Sequence, residues 1–377
     1  MSAFRRRARK SLTHGIRMHM VYGLDFGGCE TQMVNLATEY AIRGVRDYIV
    51  FCSLTKGGIA EKKIKDLGFQ VFCLDLILWE KPFKSLFRLI LFLRHYSILM
   101  LITSGSEANL FGGLAGRFAR ARVIVTEEIG VRTNSRKQRF FIRFAYRNAN
   151  FNFAVSNLAR ENLLRQRLVD PKKSIVSYAP LNLLRGDYKS VPYEGNARLL
   201  YLGRIHPEKD IELLLASLSR VLSKGQRNFN LVIVGARNTE EFDYLRATSE
   251  KLQLANNVEI QYATDHPNEF IDKCHFLVQS SRSEGMGYSV LEAISRNKPV
   301  ISTDVGIVPE IIVDGVHGFV SKSHSQNDFV KVLSRALSID AATYGEMTES
   351  VSRIDLSFVE TSKYLDLLDS LSGKLAR

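Results

Sequence analysis

Glu284 and Glu292 stand eight positions apart, with Gly285-Met286-Gly287 directly after the first of them. Carboxylates accept hydrogen bonds from hydroxyl groups. Glycines let a backbone approach a ligand closely. The apolar run Phe276-Leu277-Val278 predicts a buried strand, the loop 280–287 follows, and a helix is predicted over 289–296. Pro299 stops that helix, and Val300-Ile301-Ser302 is the next strand. The N–H groups at the helix start form a site for phosphate. Carboxylates on either side of a phosphate can take hydroxyl groups, and a nucleotide sugar has that layout: sugar, diphosphate, ribose. Taken alone, the same two residues are equally a solvated loop carboxylate and an exposed helix carboxylate.

A second segment has the same plan. Arg198-Leu199-Leu200-Tyr201-Leu202 is an apolar strand ending in Gly203-Arg204, His206-Pro207-Glu208-Lys209-Asp210 is a turn, and 211–223 carries apolar residues at helical spacing. Arg204 and Lys209 therefore fall at the C-terminal end of a strand, where ligands of open α/β sheets sit. Elsewhere most such cations are only surface charge.

The whole arrangement resembles the EX7E signature of retaining glycosyltransferases with the GT-B fold, specifically the group-1 (family four) transferases. The glycine loop, Lys298-Pro299-Val300 and the tail Pro309-Glu310-Ile311-Ile312 with Asp314-Gly315 carry the resemblance together with the two glutamates. It implies that Glu284 faces the donor sugar, beside Gly285, Met286 and Gly287, and that Glu292 holds the ribose hydroxyls. Gly203-Arg204 and Glu208-Lys209 match the family's Gly-Arg and Glu-Lys element, so Arg204 and Lys209 would grip the donor diphosphate. A departing nucleoside diphosphate gains negative charge in the transition state, and two fixed cations stabilise it. Arg suits forked oxygens and Lys acts as a point charge. Gly27-Gly28-Cys29-Glu30 matches the family's Gly-Gly-X-Glu opening, where the glycines admit the donor phosphate or sugar.

The chain also departs from the family. Thr103-Ser104-Gly105-Ser106-Glu107 and Thr126-Glu127-Glu128 lack the histidines that relatives carry there, which leaves Glu107, Glu127 and Glu128, each read as a loop carboxylate, as candidate acceptor bases. A front-side retaining mechanism needs no protein base, because the leaving phosphate oxygen can take the acceptor proton. Gly235-Ala236-Arg237 replaces the usual Gly-Asp/Glu-Gly. With no Asp-X-Asp sequence and with Arg204 and Lys209 present, catalysis is expected to be metal-independent, with no cofactor beyond a UDP- or GDP-sugar co-substrate.

The elements that must position these residues follow from alternating patterns. Strands are predicted at 16–21, 48–53, 70–74, 98–103, 123–126, 152–155 and 174–177, with helices at 29–43, 84–96, 109–120, 136–147 and 156–166. The second half repeats the plan with strands at 198–202, 230–234, 257–261, 275–279, 299–302 and 317–320. Such alternation predicts parallel sheets with helices on both faces. The expected fold is α/β of the GT-B type: two Rossmann-like, doubly wound domains facing across a cleft. Residues 1–15 would be a basic tail, 16–190 an acceptor-side domain, 191–358 the donor domain, and 359–377 a helix crossing back to the first domain. The helix at 84–96, apolar and basic, fits either a membrane interface or packing on the sheet.

With 377 residues and 45% hydrophobic content, the chain can fill two cores. Cys29, Cys52, Cys73 and Cys274 show no metal or redox spacing and are expected as free thiols. No apolar run spans a bilayer and no signal-peptide core follows the basic start, so a cytoplasmic location is expected, peripheral on the inner face of the membrane. Residues 1–190 hold 32 Lys and Arg against 14 Asp and Glu, and the net charge of +13 therefore belongs to the first half. That field suits anionic lipids or acidic glycolipids; with no nucleic-acid module, nucleic acid is not an expected partner. The expected function is sugar transfer to a glycan or lipid-linked acceptor in polysaccharide or lipopolysaccharide assembly. The alternatives are a nucleotide-sugar epimerase of the same fold and a non-catalytic glycan-binding relative.

Overall fold

A computed structural model describes residues 15–25, 27–130, 136–182, 188, 191–226, 228–264 and 266–374. The basic tail expected at 1–15 lies, apart from Gly15, outside the described residues. Two units make up the chain: residues 1–182 with 357–377, and residues 183–356. The sequence-based division stood at 190/191 and 358/359.

In the first unit, strands β1 (Ile16–Val21), β2 (Ile49–Ser53), β3 (Gln70–Cys73), β4 (Ile98–Ser104), β5 (Val123–Glu128), β6 (Phe151–Ala154) and β7 (Ser174–Val176) form one parallel sheet in the order 3-2-1-4-5-6-7. Helices α1 (Gly28–Ile42) and α2 (Ile59–Asp66) pack with the C-terminal helix α14 (Thr361–Lys374) in one core, with Met33, Leu36, Ile64, Leu365 and Leu368 buried. A second core takes α3 (Pro82–Arg94), the π turn Ala108–Gly112 with α4 (Gly113–Phe118), α5 (Arg136–Asn148) and α6 (Asn157–Arg165). Charge also ties α14 down: Arg17 reaches Asp369 at 2.6 Å and Arg43 reaches Asp366 at 2.8 Å. Leu181 N–H donates to the Val359 carbonyl at 2.8 Å, so both ends of this unit's excursion into the second are pinned together.

The helix expected over 109–120 opens instead as a π turn. Glycines bring it onto the sheet: a Cβ on Gly112 would stand 2.7 Å from Met20 Sδ, and one on Gly116 2.5 Å from Leu101 Cδ2. Helix α2 was not expected from sequence, because only Ala60 and Ile64 turn inward and two positions make no period. Strand β5 runs on through Glu127 and Glu128, where a loop was expected.

In the second unit, β8 (Ala197–Leu202), β9 (Phe229–Ala236), β10 (Val258–Tyr262), β11 (Phe276–Gln279), β12 (Val300–Thr303) and β13 (Gly318–Ser321) are parallel in the order 10-9-8-11-12-13. Around them lie α7 (Ile211–Ser223), α8 (Thr239–Lys251), α9 (Asn268–Lys273), α10 (Tyr288–Ser295), α11 (Val308–Ile311), α12 (Gln326–Ala336) and α13 (Ala341–Ser352). Helix α7 buries Ile211, Leu214, Leu215, Leu218 and Val221, the stripe its sequence spacing demands. Each unit is doubly wound, and the strand order reverses between β1 and β4 in the first and between β8 and β11 in the second. Crevices at such reversals bind ligands. Among the described residues, no helix is long and apolar enough to cross a membrane.

Candidate functional site

The reversal in the second unit brings the turn after β8 against the loop after β11. Ser280 Oγ donates to the Lys209 carbonyl at 3.0 Å, and Arg282 N–H donates to the Glu208 carbonyl at 2.8 Å. These bonds set the Lys209 ammonium 2.5 Å from Glu284 Oε1, which also accepts from Ser281 Oγ at 2.6 Å. Lys209 and Glu284, 75 positions apart in the chain, are thus one unit. One of three ammonium N–H groups is used by this bond.

Asp210 fixes the turn. Its backbone is left-handed (φ 46°), its side chain caps α7 by accepting from Leu213 N–H at 3.2 Å, and it pairs with Arg282 at 2.7 Å and with His324 at 3.1 Å. Asp210→Ala is expected to cost about 2 kcal/mol in chemical denaturation, the sum of a lost cap and a lost buried acceptor. Asp210→Asn keeps an acceptor oxygen and tolerates the left-handed backbone, so it should lose less than half as much. Equal losses would assign the cost to the charge, not the cap.

The glycine loop is backed by a residue that the sequence did not single out. A Cβ on Gly306 (φ 62°) would stand 2.5 Å from the Met286 carbonyl oxygen and 2.9 Å from Glu284 Cβ. Ile307 N–H donates to the same carbonyl at 2.7 Å. Gly287 (φ 94°) caps α10 without a side chain, whereas Asp210, Asn238, Ser325 and Asp340 cap α7, α8, α12 and α13 through theirs. No side chain therefore caps the start of α10, and a helix start suits an anion. Burial pushes the Glu292 carboxyl, inside α10, up to about 7 against the pull of the Arg296 guanidinium one turn on.

Lys298 of the Lys-Pro-Val sequence is buried, and its ammonium donates to the carbonyls of Asp272 (2.9 Å) and Cys274 (3.0 Å). Its work is to close the C-terminal end of α9. Arg204 follows β8 with an exposed side chain that makes no ion pair among the described residues. Gly203 donates its N–H to the Val234 carbonyl at 3.1 Å and is pressed by Gly235. Gly27 and Gly28 belong to the first unit, at the entry to α1, where the Gly27 carbonyl accepts from Thr31 N–H at 3.0 Å.

The carboxylates weighed as acceptor bases are not exposed loop groups. Glu127 is fully buried, accepting from Gln32 Nε2 at 2.6 Å and Ser104 Oγ at 2.7 Å beside Tyr364, and burial raises its pKa. Glu128 accepts from the Tyr146 hydroxyl, and Glu107 is half-buried. The expectation of loop carboxylates failed because the partners of Glu127 come from α1, β4 and α14, far away in the chain. Asp210, Arg282, Ser281 and His324 were also not singled out. Only the Ser281-to-Glu284 spacing carried a local signal; the rest depends on which loops the sheet brings together.

Residues 187–352 match the family model described as glycosyl transferases group 1. An uncharacterized glycosyltransferase of Methanocaldococcus jannaschii is 30% identical over 202 residues, 52% of this chain and 52% of that protein, so the chain spans about half the length of that relative. The capsular polysaccharide biosynthesis glycosyltransferase CapM of Staphylococcus aureus is 26% identical over 262 residues, covering 63% of this chain and 67% of that one. Among solved structures, Anabaena HepE in complex with UDP and glucose superposes with a TM-score of 0.76 at 16% identity, covering 95% of this chain and all of that one. That likeness shows the fold, which is the GT-B fold of two doubly wound α/β units.

Proposed function

We propose that the chain, whose residues 187–352 match the group 1 glycosyl transferases, moves a sugar from a nucleotide-sugar donor to a glycan or lipid-linked acceptor with retention of configuration. The setting proposed is assembly of a cell-surface polysaccharide or lipopolysaccharide, in line with the capsular polysaccharide biosynthesis named for the Staphylococcus aureus relative. The observation that carries the reading is the Lys209–Glu284 unit at the β8/β11 reversal, beside the start of α10.

In this reading the donor diphosphate lies on Lys209, Arg204 and the first N–H groups of α10. Glu284 accepts hydroxyl hydrogens of the donor sugar, and Glu292 those of the ribose. The bond from the anomeric carbon to the phosphate oxygen breaks while the acceptor oxygen bonds to that carbon on the same face. The acceptor proton passes to the departing phosphate oxygen. Lys209 and Arg204 supply positive charge where the leaving group gains negative charge, so the mechanism is metal-independent.

The test is release of nucleoside diphosphate from a panel of UDP-, GDP- and ADP-sugars with a lipid extract, with and without chelator, and with Arg204→Ala as control. Release from one donor, insensitive to chelator and lost in the variant, is the expected result. No release from any donor in the presence of the extract would turn the reading toward a binding protein.

The high pKa of Glu292 sets a pH dependence. The ionised carboxylate is the better acceptor for ribose hydroxyls, so donor binding should tighten as pH rises through about 7. Donor KM is expected to fall between pH 6 and 8, and Glu292→Gln should abolish that slope. The fold responds with the opposite sign. A carboxyl whose folded pKa lies above its unfolded one loses stability as pH rises from the ordinary carboxylate range to about 7.

A further inference from the structure

Helix α3 buries one side against the sheet and leaves the other exposed. Ser85, Leu89 and Leu93 face the sheet and are buried. Phe83, Phe87 and Leu91, at i, i+4 and i+8, form an outward stripe, with Phe83 86% exposed. Lys84, Arg88 and Arg94 are exposed beside that stripe. Helix α5 repeats the pattern: Ile142, Ala145 and Tyr146 are buried, while Phe140, Phe141 and Phe144 are more than half exposed, with Arg139 and Arg147 exposed among them.

The two helices share one face of the first unit. Both pack on the segment 108–118: Arg94 donates to the Phe118 carbonyl at 3.2 Å from α3, and the Tyr146 hydroxyl accepts from Asn109 at 3.1 Å from α5. Phe118, at the end of α4 between them, is also more than half exposed. A single exposed phenylalanine needs no explanation. A row of them on adjacent helices of one face does. None of α3, α4 and α5 contains an Asp or Glu. A protein partner would be expected to meet such a face with acidic side chains among apolar ones, whereas an anionic bilayer supplies both halves everywhere: negative headgroups for the cations and acyl chains for the rings.

We infer that this face of the first unit docks on an anionic lipid bilayer, with the α3 and α5 phenylalanines entering the headgroup boundary and the arginines and lysines around them holding lipid phosphates. The inference does not rest on the transfer reaction. Trp79, the one tryptophan of the chain, is an internal reporter: it precedes α3, is more than half exposed, and packs edge-on against Phe111 of the π turn.

The experiment uses the full chain and vesicles of phosphatidylcholine with or without about one-third phosphatidylglycerol. Co-sedimentation measures binding, and Trp79 emission reports burial. Expected are binding to the anionic vesicles only, a blue shift of Trp79 emission, and weakening by salt. The triple variant Phe83→Ser, Phe87→Ser, Phe141→Ser keeps every charge, including those of the basic tail. It should bind about tenfold or more weakly, with an unchanged circular dichroism spectrum and melting temperature. Undiminished binding by the triple variant would overturn the inference, since the charges alone would then suffice. So would equal binding to neutral vesicles. So too would absence of lipid binding together with a dimer in sedimentation velocity that the triple variant dissolves, which would make the face a contact between two copies of the chain.

Discussion

Lys209→Ala lowers the rate of nucleoside diphosphate release by about two to three orders of magnitude, while the protein stays folded. The size follows from the task assigned to the ammonium. Removing one preorganised donor from a site where negative charge develops typically costs about 3 to 4 kcal/mol of transition-state stabilisation. Lys209 is held for that task by the turn around it. Its carbonyl is anchored by Ser280, its neighbour Asp210 caps α7, and its side chain is fixed on Glu284. The fold should tolerate the loss, because Lys209 is partly exposed and Glu284 keeps its bond from Ser281. Lys209→Arg preserves charge but not the compact geometry, so it should recover part of the rate. A Lys209→Ala protein that turns over at the wild-type rate would remove this residue from the mechanism.

The second large effect is on stability. Gly235→Ala is expected to destabilise the second unit by about 3 kcal/mol or more. Gly235, next to last in β9, has φ 150°, and an ideal Cβ there would stand 1.8 Å from the Gly203 carbonyl oxygen. The obstacle is backbone, which cannot swing aside like a side chain. The melting temperature should drop by about 6 to 12 °C. Because the displaced carbonyl belongs to the residue before Arg204, turnover should also fall at temperatures where the variant is fully folded. Gly345→Ala is the matched control. It lies inside α13 with nothing within 4 Å of its Cβ position, so it should stabilise by about 0.5 to 1 kcal/mol through helix propensity alone. A loss of less than about 1 kcal/mol at Gly235 would mean that the β8 end can move without cost.

This pair of glycines shows which parts of the site were legible. Gly235 stood out only as the first residue of Gly235-Ala236-Arg237, whose next two positions depart from the family pattern. Its close approach to Gly203 is a fact about two neighbouring strands, and a linear pattern cannot report the gap between them. Lys298 is a similar case. Beside Pro299 it read as part of a motif, yet it spends its ammonium on the carbonyls that end α9. Helix α7 was the opposite case: five inward apolar residues at helical spacing placed it over Ile211–Ser223, bounds that the structure reproduces. Helix α3 stood between them. Its run of Leu, Ile and Phe has little polar contrast, so period alone could not say which side faces the sheet; Ser85, Leu89 and Leu93 do.

What the sequence by itself determined is the alternation of strands and helices, hence two parallel doubly wound units, and the spacing of Glu284, Gly285, Gly287 and Glu292 around one helix start. These are short-range matters, decided by side-chain period and by glycine and proline within a few residues. Only the tertiary structure decided that Lys209 bonds Glu284, that Asp210 holds Arg282 and His324, that Gly306 backs the glycine loop, and that Glu127 is buried. Each of these joins residues from different strand ends. Strand order brings those ends together, and strand order is a property of the whole sheet rather than of any segment in it.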